Sequence, residues 1–182
     1  MCSPLRVLSL VLFVVVLTLG GAPSAAQIPI NEARQQGPGS DVTVEGTVTR
    51  AFGDFVRFQD DSGPTGASGL TIRQTSGAFR DSVQSGAIQP GTQLQVTGTL
   101  SEFNGLLQIN NEDLDDFTIQ GEGIVPAPQS VSLAELQTNG EDFESELVQV
   151  TDLDILKRGE VFENDTSYPA YSVAGGTDPV TE

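Results

Sequence analysis

Two rhythms of apolar residues divide the chain. Val7 to Leu19 is almost unbroken apolar sequence, interrupted by Ser9 and Thr18. Beyond it, apolar residues recur at every second position. From Asp41 to Phe52, Val42, Val44 and Val48 alternate with Thr43, Glu45, Thr47 and Thr49, the pattern of a half-buried strand. Gly46 interrupts the apolar face and predicts a bulge or sharp bend. Gly53-Asp54 predicts a hairpin turn into a second strand, Phe55 to Asp60, with Val56 and Phe58 inward. A Gly/Ser/Pro loop from Asp61 to Gly69 leads to a third strand, Leu70 to Arg73, with Leu70 and Ile72 inward. Between Thr75 and Ser85 the rhythm changes. Ala78, Phe79, Val83 and Ile88 have helical spacing and predict a short helix or irregular crossover. Thr92 to Leu100 alternates again, with Leu94 and Val96 inward. Phe103-Asn-Gly105 turns into Leu106 to Asn110, and Phe117 to Gln120 extends that strand or adds a sixth.

The order strand, strand, strand, short helix, strand, strand, with a glycine in a long first strand, predicts an all-β OB-fold: a five-stranded Greek-key barrel. A plain β-sandwich or a longer meander are the alternatives. Before the barrel, Ile30 to Arg34 predicts one helical turn, and Gln36 to Ser40 is a breaker cluster.

The apolar run near the start is the length of a signal-peptide core and too short to span a bilayer. It follows Arg6 and precedes small residues at Ser24 and Ala26, so cleavage is expected after Ala26, with Ala25 as the alternative. The chain is thus expected to be secreted, extracellular or periplasmic. No other segment is apolar enough to insert in a membrane. Cys2, the sole cysteine, lies in this leader, so the mature part has no disulfide. Export without cysteine suits a bacterial secreted or surface protein.

Four parts follow: residues 1–26, a leader; 27–122, the OB-fold domain; 123–130, a linker; and 131–182, a partial second OB-like domain. The last rests on an internal echo. Val131 to Gln137 resembles Ile28 to Arg34, Val148-Gln-Val150 resembles Val42-Thr-Val44, and Gly159-Glu160 falls where Gly53-Asp54 does, at an offset of about 106 residues. This is tandem-domain spacing. The second copy runs out after Tyr171-Ser-Val173, which suggests a longer chain with downstream domains.

Ile30-Asn-Glu-Ala-Arg34, Val42 to Val48, Phe58-Gln-Asp-Asp-Ser-Gly63, Gly69 to Ile72, Pro90 to Leu100 and Phe103 to Ile109 together resemble the OB-fold modules of bacterial secreted proteins. The resemblance implies a barrel of the kind found beside extracellular nucleases and other hydrolases. Its motifs are turn and core positions, so they speak to fold more than to activity.

The chain holds 25 acidic and 8 basic residues, a net charge of −17, and Lys157 is its only lysine. Such a surface repels nucleic acid and anionic membrane in dilute salt. The acid is spread along the chain and not gathered in a tail, which is the halophilic pattern. In strong salt the charge is screened within a few ångströms and says little about partners.

Histidine is absent and the mature part has no cysteine. A Ser-His-Asp triad, a thiolate nucleophile and His- or Cys-ligated metals are therefore excluded. Gly63 to Gly69 lacks the Gly-Lys-Ser/Thr ending of a phosphate loop. Asp60-Asp61, Glu112-Asp113 and Asp115-Asp116 lack the spacing of a calcium loop and read as solvated acid. No catalytic residue, metal or cofactor is expected. Asn164-Asp-Thr166 matches a glycosylation sequon, read as chance in a bacterial chain.

The candidate ligand-binding residues lie on the outward face of the first three strands. Phe55, Arg57 and Gln59 point away from Val56 and Phe58, Thr71 and Arg73 share their face, and Arg50 joins them if the register shifts. Phe103 and Asn104, in the last hairpin, border the groove. An aromatic ring stacks a base or sugar and arginine holds phosphate, so single-stranded nucleic acid or oligosaccharide is the expected ligand. In the competing reading, Phe55 and Phe103 plug the barrel ends, the arginines pair with surface acid, and the module is a structural spacer without ligand.

Overall fold

The computed structural model describes residues 26–62, 67–155 and 173–175. The elements are α1 (Ile30–Gln36), β1 (Asp41–Phe52), β2 (Phe55–Gln59), β3 (Gly69–Arg73), α2 (Gly77–Gln84), β4 (Thr92–Thr99), β5 (Ser101–Phe103), β6 (Leu106–Asn110) and β7 (Leu114–Glu122). There follow β8 (Gln129–Ser130), α3 (Leu133–Asn139), β9 (Val148–Gln149), β10 (Leu153–Ile155) and β11 (Val173–Gly175). The leader, apart from Ala26, lies outside the described residues, as do most of the Gly63–Gly69 loop, Gly159-Glu160 and the Asn164 sequon. No helix among the described residues is long and apolar enough to cross a membrane.

One seven-stranded sheet, ordered β5-β6-β3-β2-β1-β4-β7, forms the body. The strands β1, β2 and β3 make an antiparallel meander, α2 crosses from β3 to β4, β4 returns beside β1, and β6 runs parallel to β3. That connectivity is of the OB type. The strand count differs from the expected five. The sheet is not closed by hydrogen bonds: β5 and β7 are its edges. Instead the chain itself passes from β4 to β5 through Leu100, which is buried and clamped by backbone bonds to Gly39 and Ser40. The extra edge, β7, lies antiparallel to β4 over a far longer stretch than Phe117–Gln120.

The alternating residues form the core as expected. Val42, Val44, Val48, Val56, Phe58, Leu70, Ile72, Leu94 and Val96 are buried, together with Leu107 and Ile109 of β6. Ile30 and Ala33 of α1 and Phe79 of α2 close over them, while Ala78 faces solvent. Gly46 does not make the bend. It pairs regularly with Leu94, and the register shift against β2 falls between Val48 and Arg50. Gly46 serves close approach: a Cβ there would lie 2.8 Å from the Gln59 carbonyl oxygen and from the Phe58 ring.

The last two residues of the expected linker form a strand: β8 pairs in parallel with β9, with α3 between them. Near the start of the chain, Gln27 likewise bridges Thr43 in parallel with α1 between them. A capping box anchors α3: the Ser132 hydroxyl accepts from the Glu135 amide, and the Glu135 carboxylate accepts from the Ser132 amide.

Candidate ligand-binding face

The irregularity in β1 builds the site. In a regular strand, Arg50 would follow Val48 into the core, because side chains alternate strictly. The extra residue, Thr49, reverses the alternation. Ala51 turns inward against the core, and Arg50 and Phe52 turn outward. Two cross-strand rows result. One runs Phe52, Phe55, Arg73, Asn110; the next runs Arg50, Arg57, Thr71, Gln108, Ser101.

The first row is open. Phe52 is 72% exposed and Phe55 37%. The Arg50 guanidinium carbon stands 5.9 Å from the Phe52 ring centre, and that of Arg73 stands 5.7 Å from the Phe55 ring centre. Each is a cation–π pair. Arg73 also donates from Nη1 to Asn110 Oδ1 at 3.2 Å, which fixes its fork beside the ring. Arg57 is half-buried. Burial lowers its pKa, the nearby charge of Arg50 lowers it further, and Glu144 opposes both. Among the described residues the ion pairs are Arg34–Glu144 and Arg80–Asp54, and neither involves Arg50, Arg57 or Arg73. The phenylalanines do not plug the barrel.

The other half of the face is not open, contrary to expectation. The segment Glu141–Leu147 lies across it. The Leu147 amide donates to Gln59 Oε1 at 2.9 Å, and the hydroxyls of Thr71 and Ser145 lie 2.7 Å apart. Ser68 donates to Glu146 Oε1 from its amide at 2.6 Å and its hydroxyl at 2.7 Å. The Ala67 amide donates to the Asp142 carbonyl. Thr71 is fully buried in consequence. Gly69 admits this packing, since a Cβ there would fall 2.7 Å from the Ser145 carbonyl carbon.

The structure therefore brings together Arg50, Phe55, Arg57 and Arg73, and covers Gln59. Phe103 and Asn104 are apart from them. They sit at the Leu106 end of β6, four residues and about 13 Å along the strand from Asn110. Phe103 is 65% exposed there, and Asn104-Gly105 forms a tight turn with both φ angles positive. Sequence reasoning missed Phe52, Asn110, Arg34 and the covering segment. Phe52 was within reach, since it stands two residues from Arg50. Asn110 and the segment depend on pairings across 37 and 74 residues.

A separate cleft of about 670 Å³ is lined by Glu45, Thr47, Gln59 and Asp61, among others. Its Asp60 is already engaged by the Ile30 amide and by Ser62. Among the described residues no three Asp, Glu, Cys or His side chains gather as a metal site.

The fold and this face define a β-rich module with OB-type connectivity. No family model matches the sequence, and no curated protein does. Several solved structures are similar over part of the chain. The telomere capping protein Ten1 of Saccharomyces pombe is 20% identical, over 53% of this chain and 81% of that one, with a TM-score of 0.38. The E. coli protein YgiW is 14% identical, over 54% of this chain and 92% of that one, at 0.39. The asparaginyl-tRNA synthetase of Entamoeba histolytica is 17% identical, over 57% of this chain and 25% of that one, at 0.38. These are partial likenesses of fold.

Proposed function

We propose that this chain is a secreted, non-catalytic OB-type binding module that holds a short stretch of single-stranded nucleic acid. One observation carries the reading: two exposed phenylalanines in adjoining positions, each with a guanidinium held over its ring. Stacking needs a flat exposed ring, and the backbone needs a cation beside it. The Phe55–Arg73 and Phe52–Arg50 pairs supply both. The lack of histidine and of mature cysteine supports a binding role over a hydrolytic one. Any chemistry belongs, on this reading, to downstream domains of a nuclease or other hydrolase. The matching parallel pairings around α1 and α3 support reading residues 131–182 as the start of a second module.

The test is fluorescence anisotropy with labelled oligonucleotides. Phe55→Ala and Arg73→Ala are each expected to weaken binding about tenfold, one stacked base or one charged contact. Unchanged affinity, or binding only to oligosaccharides, overturns the nucleic-acid reading. A second reading is a structural spacer. It draws on the covered half of the face, where Glu141–Leu147 packs on Thr71 and Gln59, and it predicts no ligand at all.

A further inference from the structure

Glu144 occupies a seat with the makings of an anion site. Its Oε2 accepts from Arg34 Nη1 at 3.1 Å and from the Leu107 amide at 3.2 Å. The two side chains are only 11% and 15% exposed. Arg34 is also held by the Gly69 carbonyl at 3.0 Å and the Glu141 carbonyl at 3.1 Å. The seat opens where β3 and β6 part. Their parallel pairing begins at Thr71 and Gln108, which leaves the Leu107 amide aimed outward. A second carboxylate, that of Glu146, takes both donors of Ser68. The covering segment thus lays acid side chains onto donors of the face, as a phosphate backbone does.

The segment is an imperfect occupant. Ser145 holds a φ of +66°, a left-handed conformation that a non-glycine residue adopts at a cost. Gln108 Oε1 is buried with no hydrogen-bond partner among the described residues, in the same cross-strand row as Thr71. Release of the segment relieves the strained Ser145 backbone. It also joins the seat to the open patch, because Thr71 lies beside Arg57 in that row.

We propose that the Arg34–Leu107 seat is a phosphate subsite of the same ligand face, masked in the free protein by Glu144. The strap Glu141–Leu147 is then an internal competitor, displaced as the strand extends from the Phe55–Arg73 patch. This inference rests on the nucleic-acid reading of that patch.

A reversible clamp tests it in the full chain. Thr71→Cys with Ser145→Cys, in a Cys2→Ser background, places two thiols where the hydroxyls now touch. Binding of a labelled oligothymidylate of about fifteen nucleotides is measured in the oxidised and reduced forms. The oxidised form is expected to bind about tenfold more weakly, the size of one charge-assisted contact, and Glu144→Gln to bind more tightly than the parent. Equal affinity in both forms, with Phe55→Ala still weakening each, overturns the masked subsite alone and leaves the patch standing. No binding by clamp, reduced form or parent overturns both. If the double cysteine chain does not fold, hydrogen exchange of the Leu147 amide in the parent chain decides. That amide is bonded to Gln59, so oligonucleotide is expected to speed its exchange, and unchanged exchange at saturation overturns the proposal.

Discussion

The hydroxyls of Thr71 and Ser145, 74 residues apart in sequence, meet at 2.7 Å in a buried contact between β3 and the strap. Thr71 is wholly enclosed and Ser145 nearly so. Removing one partner leaves the other buried and unpaired, which costs about 1–3 kcal/mol. Thr71→Val and Ser145→Ala should each destabilise by that amount in denaturant titration. The double variant should recover part of the loss, since no orphaned hydroxyl remains. Strictly additive losses would show that the two groups do not depend on each other.

The close approach of β1 to β2 makes a second demand. Gly46→Ala would press its methyl carbon against the Gln59 backbone and the Phe58 ring, both 2.8 Å from the ideal position. Phe58 is fully buried and the Gln59 contact is backbone, so relief requires movement of the sheet. Overpacking of this kind costs about 1–3 kcal/mol. A melting temperature equal to that of the parent would mean that the strands separate more readily than their pairing implies.

The barrel strands were legible because their apolar residues alternate without ambiguity. Val56, Phe58, Leu70 and Ile72 repeat at period two and all reach the core. The site was legible only in part. Period two places Phe55, Arg57 and Arg73 on one face. The outward turn of Arg50 and Phe52 depends on the extra residue Thr49, and no local residue type marks it: the glycine that would signal a bulge is Gly46, and it is needed for packing. The covered half was illegible. Glu144, Ser145 and Glu146 form an acidic loop by composition, and only tertiary contact turns them into partners of Arg34, Thr71 and Ser68.

Helix α3 should respond to acid. Glu135 accepts from the Ser132 amide and hydroxyl, and those bonds hold its carboxyl below the usual carboxylate range. A folded-state pKa below the unfolded one gives stability that is complete above the ordinary carboxylate range and lost as pH falls through the folded value. Amides of α3 should therefore exchange faster at pH of about 3 than at about 6, after correction for intrinsic rates. Glu135→Gln should flatten that pH response, because an amide side chain keeps an acceptor without titrating. A response of unchanged size in the variant would place the acid sensitivity elsewhere.

Salt should stabilise the whole chain. With 25 acidic residues against 8 basic ones, like charges outnumber the available partners, and their repulsion favours the expanded state. Ionic strength of about 1 M shortens the screening length to about 3 Å and removes most of that penalty. The Arg34–Glu144 pair loses less, because both side chains are largely shielded from solvent. The melting temperature should thus climb between about 0.05 and 1 M potassium chloride, and protection of the Leu107 amide, bonded to Glu144, should survive across that range. A melting temperature that falls with salt would show that attractive surface pairs outweigh the repulsion. Loss of Leu107 protection while the core stays intact would show that the strap is held by exposed charge and not by its buried contacts.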